Sequence, residues 1–304
     1  MRGFIGAVLS LAMVAPVSAW ACACGCGVFS VANPSLLPTD ARAQIFVEYD
    51  FMDQNQNWSG ASRAPAADNA DKEIRTSFYT FGGQYMITRQ WGVMVEVPLW
   101  NRTFRTDPGG GVQTFNHSAL GDVRLMGVYT GLAKDQSTGI LFGVKLPTGD
   151  FSYPGFDRDT AIGTGSTDLL LGGYHRGALN RAETWGWFVQ GLWDRPLASQ
   201  GGYAPGAEVD AAAGVSWAAA TLSGGKLKIA PILQFIGSGR AGDGGPKASP
   251  AGSGYRRLLI SPGVQFSAGQ WRLYGDVELS VAQSYNGDQL AAPALFKVTL
   301  SRDF

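Results

Sequence analysis

Gln44-Ile45-Phe46-Val47-Glu48-Tyr49-Asp50-Phe51 alternates residue by residue. One face carries Ile45, Val47, Tyr49 and Phe51; the other carries Gln44, Glu48 and Asp50, with Phe46 its apolar exception. A period of two is that of a β-strand whose two faces meet different surroundings. The same split recurs downstream. Val93, Val95, Val97 and Leu99 oppose Met94 and Glu96, and Val209, Ala211, Ala213, Val215 and Trp217 oppose Glu208, Asp210 and Ser216. Trp271, Leu273, Val277, Leu279 and Val281 oppose Arg272, Asp276 and Glu278; finally Phe296, Val298 and Leu300 oppose Lys297, Thr299 and Ser301.

Twelve such segments are predicted, near 43–52, 74–87, 92–103, 119–130, 139–147, 167–177, 185–196, 208–219, 226–237, 255–266, 271–281 and 293–304. The connections between them alternate in length. They are long at Asp53–Glu73, Phe104–Ser118, Thr148–Ser166, Leu197–Ala207, Ser238–Gly254 and Ala282–Ala292, and short at Thr88–Trp91, Ala178–Thr184, Thr221–Gly225 and Ser267–Gln270. A soluble sandwich has no reason for this rhythm. A bacterial outer-membrane barrel does: an even number of strands, brief periplasmic turns and longer extracellular loops. Lipid offers no hydrogen bonds, so a sheet crosses it only when closed on itself. The expected fold is therefore all-β, a transmembrane antiparallel up-and-down barrel of twelve strands over residues 41–304. Trp91, Trp100, Trp185, Trp187 and Trp193 fall near strand ends, where aromatic girdles sit, and the parity of His175 puts it outside.

Composition agrees. The 304 residues carry 24 basic and 24 acidic side chains, so the formal net charge is zero and a nucleic-acid partner is disfavoured. Charged residues are 16% of the chain, below the roughly 25% usual in soluble domains. The 42 glycines argue against a helical protein, since each costs about 1 kcal/mol inside a helix. Residues 1–21 read as a secretory signal: Arg2, the apolar stretch Phe4 to Ala15, Pro16, and the cleavage site Ala19-Trp20-Ala21. No later stretch reaches the roughly 20 apolar residues of a spanning helix. The expected location is the outer membrane of a Gram-negative bacterium.

The chain ends in Phe304 after Leu300, Val298 and Phe296 at alternating positions, with Arg302 interrupting the apolar series. This resembles the terminal strand that barrel-insertion machinery recognises. Leu120-Gly121-Asp122-Val123-Arg124-Leu125, Val144-Lys145-Leu146-Pro147-Thr148-Gly149, Gly163-Thr164-Gly165-Ser166-Thr167-Asp168 and Leu259-Ile260-Ser261-Pro262-Gly263 add to it. Together they resemble the outer-membrane proteins grouped as the "MetA-pathway of phenol degradation" family. That resemblance covers most of residues 40–304 and implies transport of hydrophobic or aromatic compounds.

Two groups of residues invite a chemical role. Cys22, Cys24 and Cys26, in the segment 22–40, are the only cysteines. Thiols so close cannot easily bridge one another; they either hold a soft metal, copper or zinc, or serve a disulfide or lipid attachment. By strand parity Glu48, Asp50, Glu96, Asp122, Arg124, Lys145, Asp168, Asp276, Glu278 and Lys297 face the lumen. They act either as a charged selectivity lining or as pairs that offset one another's burial. Catalysis is not expected. His117 and Ser118 are adjacent on a strand and so point apart, and no Gly-x-Ser-x-Gly elbow occurs. The expected role is a porin-like channel or transporter for small solutes, hydrophobic or aromatic ones among them, without a cofactor. A metal-handling barrel using the three cysteines and a purely structural barrel are the alternatives. Val28, Phe29 and Val31 are placed to plug the lumen.

Overall fold

The computed structural model describes residues 27–31 and 33–304; the signal at 1–21 and Cys22, Cys24 and Cys26 lie outside them. After 3-10 turns at Gly27–Ser30 and Pro34–Leu36 come β1 (Ala43–Gln54), β2 (Gln56–Gly60), β3 (Ser62–Arg63), β4 (Asp71–Met86) and β5 (Trp91–Thr106). Next are β6 (Gln113–Leu120), β7 (Arg124–Tyr129), β8 (Thr138–Lys145), β9 (Ser166–Ala178), β10 (Trp185–Ser199) and β11 (Glu208–Trp217). The chain finishes with β12 (Ala220–Leu222), β13 (Leu227–Arg240), β14 (Tyr255–Ala268), β15 (Trp271–Ala291) and β16 (Ala294–Asp303).

These segments build a closed antiparallel barrel of twelve staves. β6 and β7 are two parts of one stave, β12 extends β11, and β2 and β3 lie outside the count. Closure is made by β1 against β16, from Gln44 opposite Asp303 to Met52 opposite Leu295. No helix among the described residues is long and apolar enough to cross a membrane. The strands do so instead. Side chains of β1 alternate between buried and outward positions along its whole length. Ile45, Val47, Phe81, Val93, Val95, Phe235, Leu273, Phe296, Val298 and Leu300 form part of an exposed apolar belt. In water that belt would be costly at roughly 25 cal/mol per Å²; against hydrocarbon it is the required surface.

The exceptions in the alternation have local causes. Phe46 points inward and is 4% exposed; its ring lies over Gly82 of β4, which stands directly opposite it. A Cβ on Gly82 would sit 2.1 Å from that ring. Phe188 covers Gly214 of β11 in the same way. Bulky rings thus replace missing side chains on neighbouring strands, which accounts for part of the glycine content. Arg302, the irregular residue of the terminal strand, stays on the outer face because its guanidinium lies over Trp271 at 5.2 Å and Phe304 at 4.7 Å. His175 is also outside, bonded to Thr138 Oγ at 2.7 Å and edge-on to Trp187.

Three expectations need correction. The segment expected at 119–130 is broken at Gly121-Asp122-Val123, and its stave begins earlier, at Gln113. Val97 and Pro98 of β5 face these three residues, so one residue is in excess, and Pro98 has no N–H to donate. The connection expected over Ala282–Ala292 is built as strand. β15 runs on to Ala291 through a bend at Gly287 (φ 66°), and its far part pairs with β2. Trp100, assigned to a girdle, points inward and packs edge-on against Phe78 at 4.8 Å.

Replacing Gly82 with Val is expected to displace the Phe46 ring and destabilise the barrel by about 1–3 kcal/mol, read as a lowered urea midpoint of the refolded protein. An unchanged midpoint would show that the ring does not rest on Gly82.

Candidate functional site: a plugged lumen

Among the described residues ahead of β1, 29–31 and 33–38 lie inside the barrel. Phe29, Val31 and Leu37 are buried there, with Phe29 at 5.5 Å from the ring of Phe78. This plug is held by its own sequence first: Asn33 accepts from the backbone N–H of Ser35 at 3.1 Å, which fixes the start of the turn Pro34–Leu36. The wall then grips it. Asn33 Nδ2 donates to Glu48 at 2.5 Å and to Thr299 at 2.6 Å, Lys297 Nζ donates to the Phe29 carbonyl at 2.6 Å, and Arg124 donates to Ser30 Oγ. Near the short-turn end, Arg176 donates to the Pro38 carbonyl at 2.6 Å.

The inward charges identified from parity fall into two groups and one outlier. Register sets Asp50, Lys297 and Asp276 side by side on β1, β16 and β15. Lys297 Nζ lies 3.9 Å from Glu48 and 4.0 Å from Asp50, and Glu278 is buried two residues beyond Asp276. Asp276 accepts from Gln234, Ser261 and Tyr274 at 2.9, 2.6 and 2.7 Å. The second group is a row across β5, β7, β8 and β9: Glu96, Arg124, Lys145 and Asp168. Arg124 is 3.7 Å from Glu96, and Lys145 contacts Asp168 and, at 2.8 Å, Asp194. Three cations, Lys297, Arg124 and Lys145, are thus paired with carboxylates on neighbouring strands, as burial demands.

Asp122 belongs to neither group. It sits in the break between β6 and β7, and its carboxylate accepts from the N–H groups of Gly149 (2.9 Å) and Thr164 (2.8 Å) and from Thr164 Oγ (2.5 Å). It thereby clasps both ends of the connection 146–165. That connection matters because β6 pairs with β5 alone: beyond Arg124 and Lys145 no strand ladder joins β6 to β9. The clasped connection occupies that part of the wall. Within it Tyr153 stacks on His117 at 3.6 Å, and His117 bonds Asp150 at 3.0 Å. Arg158 lies 4.8 Å over Phe151 and over Tyr203. Burial, with Asp157, Asp71 and Asp243 nearby, holds the Asp159 carboxyl well above the ordinary range.

Between plug and wall, beside the clasp, lies a cavity of about 160 Å³. Phe29, Phe78, Met94, Pro98, Trp100 and Met126 are among its apolar lining, and Glu48, Glu96, Asp122 and Arg124 bound it. Sequence reasoning placed Phe29 and Val31 in the lumen and Met94 on the face of Glu96, but missed Phe78, Trp100 and Met126. Among the described residues no group of three or more His, Cys, Asp or Glu is placed to hold a metal ion.

A closed antiparallel barrel with an apolar outer belt and a charged interior defines the class of outer-membrane β-barrels. The overall likeness bears this out. The chain is similar to an outer-membrane channel, the COG4313 channel from Pseudomonas putida F1, with TM-score 0.67, 12% identity, and coverage of 90% of this chain and 99% of that one. It is also similar to the beta domain of the Bordetella autotransporter Brka, with TM-score 0.50, 14% identity, and coverage of 87% and 100%. At such identities the likeness is one of fold. No family model matches the sequence, and no curated protein matches it; the resemblance to the "MetA-pathway" proteins rests on the motifs quoted above.

Replacing Lys297 with Met would leave Glu48, Asp50 and Asp276 without their shared cation and free the Phe29 carbonyl. The expected loss is about 3–5 kcal/mol of unfolding free energy, measured by urea titration in detergent. A loss below about 1 kcal/mol would mean the cluster does not depend on that charge.

Proposed function

We propose that this protein is a channel of the Gram-negative outer membrane for small apolar solutes of single-ring size, with residues 27–38 as its plug. The volume of the cavity carries this reading. An apolar cavity of about 150 Å³ is enough to hold benzene, and this one measures about 160 Å³ with rings and methionines on its walls. Methionine and aromatic linings adapt to ligands of varied shape. The axial path is filled by the plug, which disfavours a wide aqueous pore. The gap in strand pairing beside β6 supports a path from the membrane side, because Asp122 and Thr164, which clasp the connection there, also line the cavity. An apolar solute dissolved in lipid would reach the cavity there without crossing water, and the fold likeness to a channel is consistent with it.

Toluene is expected to bind the refolded protein, and Met94→Trp, which fills the cavity, to abolish that binding while leaving the barrel folded. Calorimetric titration decides it; retained binding in the variant would place the solute elsewhere. In planar bilayers the intact protein is expected to pass little current, rising several-fold when residues 27–38 are removed. Asp122→Ala, which opens the clasp, is expected to speed toluene uptake into liposomes; unchanged or slower uptake counts against access beside β6.

A further inference from the structure

A second cleft, of about 460 Å³, opens at the short-turn end of the lumen and takes no part in the path just proposed. Its lining includes Arg176 of β9, Phe188 of β10, Ser216 of β11, Gln265 of β14, Arg272 of β15 and, from the plug, Leu37. Strand parity sends each of these wall residues inward, alongside buried Tyr174, Ala212, Ser261 and Tyr274 on the same strands.

The charged residues lining this cleft are Arg176, Arg272, Asp135 and Glu183. Two guanidiniums share it. Arg272 meets one carboxylate, Asp303, at 2.5 Å, and Arg176 spends a donor on the neutral Pro38 carbonyl. Arg272 Nε is buried and has no hydrogen-bond partner, a cost of about 1–3 kcal/mol unless something accepts from it. The acids at the cleft's rim do not answer this need. Glu183 is exposed, and Asp135 is turned back on its own turn, accepting from the Ser137 N–H at 3.1 Å.

The shape completes the specification. A guanidinium offers two parallel donors to a carboxylate, Ser216 and Gln265 add neutral polar groups, and Phe188 and Leu37, both buried, form an apolar wall. We propose that this vestibule is a binding site for an organic carboxylate with a compact apolar body, held between Arg176 and Arg272. It stands independently of the apolar cavity on the other side of the plug.

Benzoate is the probe, titrated by calorimetry into the full refolded protein, with benzyl alcohol as its neutral counterpart and inorganic phosphate as a competitor. Benzoate is expected to bind at least tenfold more tightly than benzyl alcohol, consistent with the value of a charge-assisted hydrogen bond. Phosphate at equal concentration is expected not to displace it. Arg272→Gln is expected to weaken benzoate about tenfold with toluene binding unchanged; Arg176→Gln, which also frees the plug's Pro38 carbonyl, is expected to weaken benzoate about tenfold and is read for benzoate alone. Met94→Trp should remove toluene and spare benzoate, so failure of either site is seen separately. Because Arg272→Gln releases Asp303 from its partner, the unmodified protein is also titrated at rising salt, where benzoate affinity should fall and toluene affinity should not. Equal binding of benzoate and benzyl alcohol, displacement by phosphate, indifference to salt, or full affinity in the folded Gln variants would each overturn the proposal.

Discussion

The pairing of β1 with β16 is the interaction on which everything else in this molecule rests. Hydrocarbon supplies no partner for a free N–H or C=O, so a sheet that failed to close would present two unsatisfied edges to lipid. Closure fixes the register of the first and last strands, and that register places Lys297 between Asp50 and Asp276. Those three positions in turn hold the plug, through Lys297 and the Phe29 carbonyl. A backbone requirement at the perimeter therefore dictates the electrostatics of the centre.

Inside the closed wall, polarity is segregated. Carboxylates predominate beside the plug, arginines gather at the short-turn end, and apolar rings occupy the space between plug and β4, β5 and β7. Lys297, Arg124 and Lys145 each meet a carboxylate on a neighbouring strand, and Lys297 and Arg176 each meet a plug carbonyl. The lumen is thus divided into compartments by residues 29–31 and 33–38.

The wall was legible in the sequence because lipid on one side imposes a strict period of two, and loop lengths alternate with the side of the membrane they face. Strand parity also put Glu48, Asp50, Lys297 and their companions on the inner face, where the structure has them. What parity does not encode is distance across the lumen. That Asn33 reaches both Glu48 and Thr299, or that Met94, Trp100 and Phe29 share a cavity, depends on how the strands curl and where the plug rests. Residues 121–123 read as continuous strand because Leu120, Val123 and Leu125 are good strand formers; the break comes from Pro98 on a neighbouring strand and from loop amides drawn to Asp122. Trp100 misled for a related reason: a tryptophan near a strand end fits a membrane girdle equally well whether it points out or in.

The grip of Lys297 and Thr299 on the plug has a temporal side. These two residues belong to the last strand of the barrel to be made, whereas Phe29 and Asn33 precede its first. The plug's anchors are consequently incomplete until the C-terminal strand has taken its place beside β1. During assembly the N-terminal segment must already lie within the forming ring when the seam closes, or thread back through the short-turn mouth afterwards. The sealed interior is thus a late product of assembly, and the step that ends exposure of the sheet's edges is also the step that completes its occupant's hold.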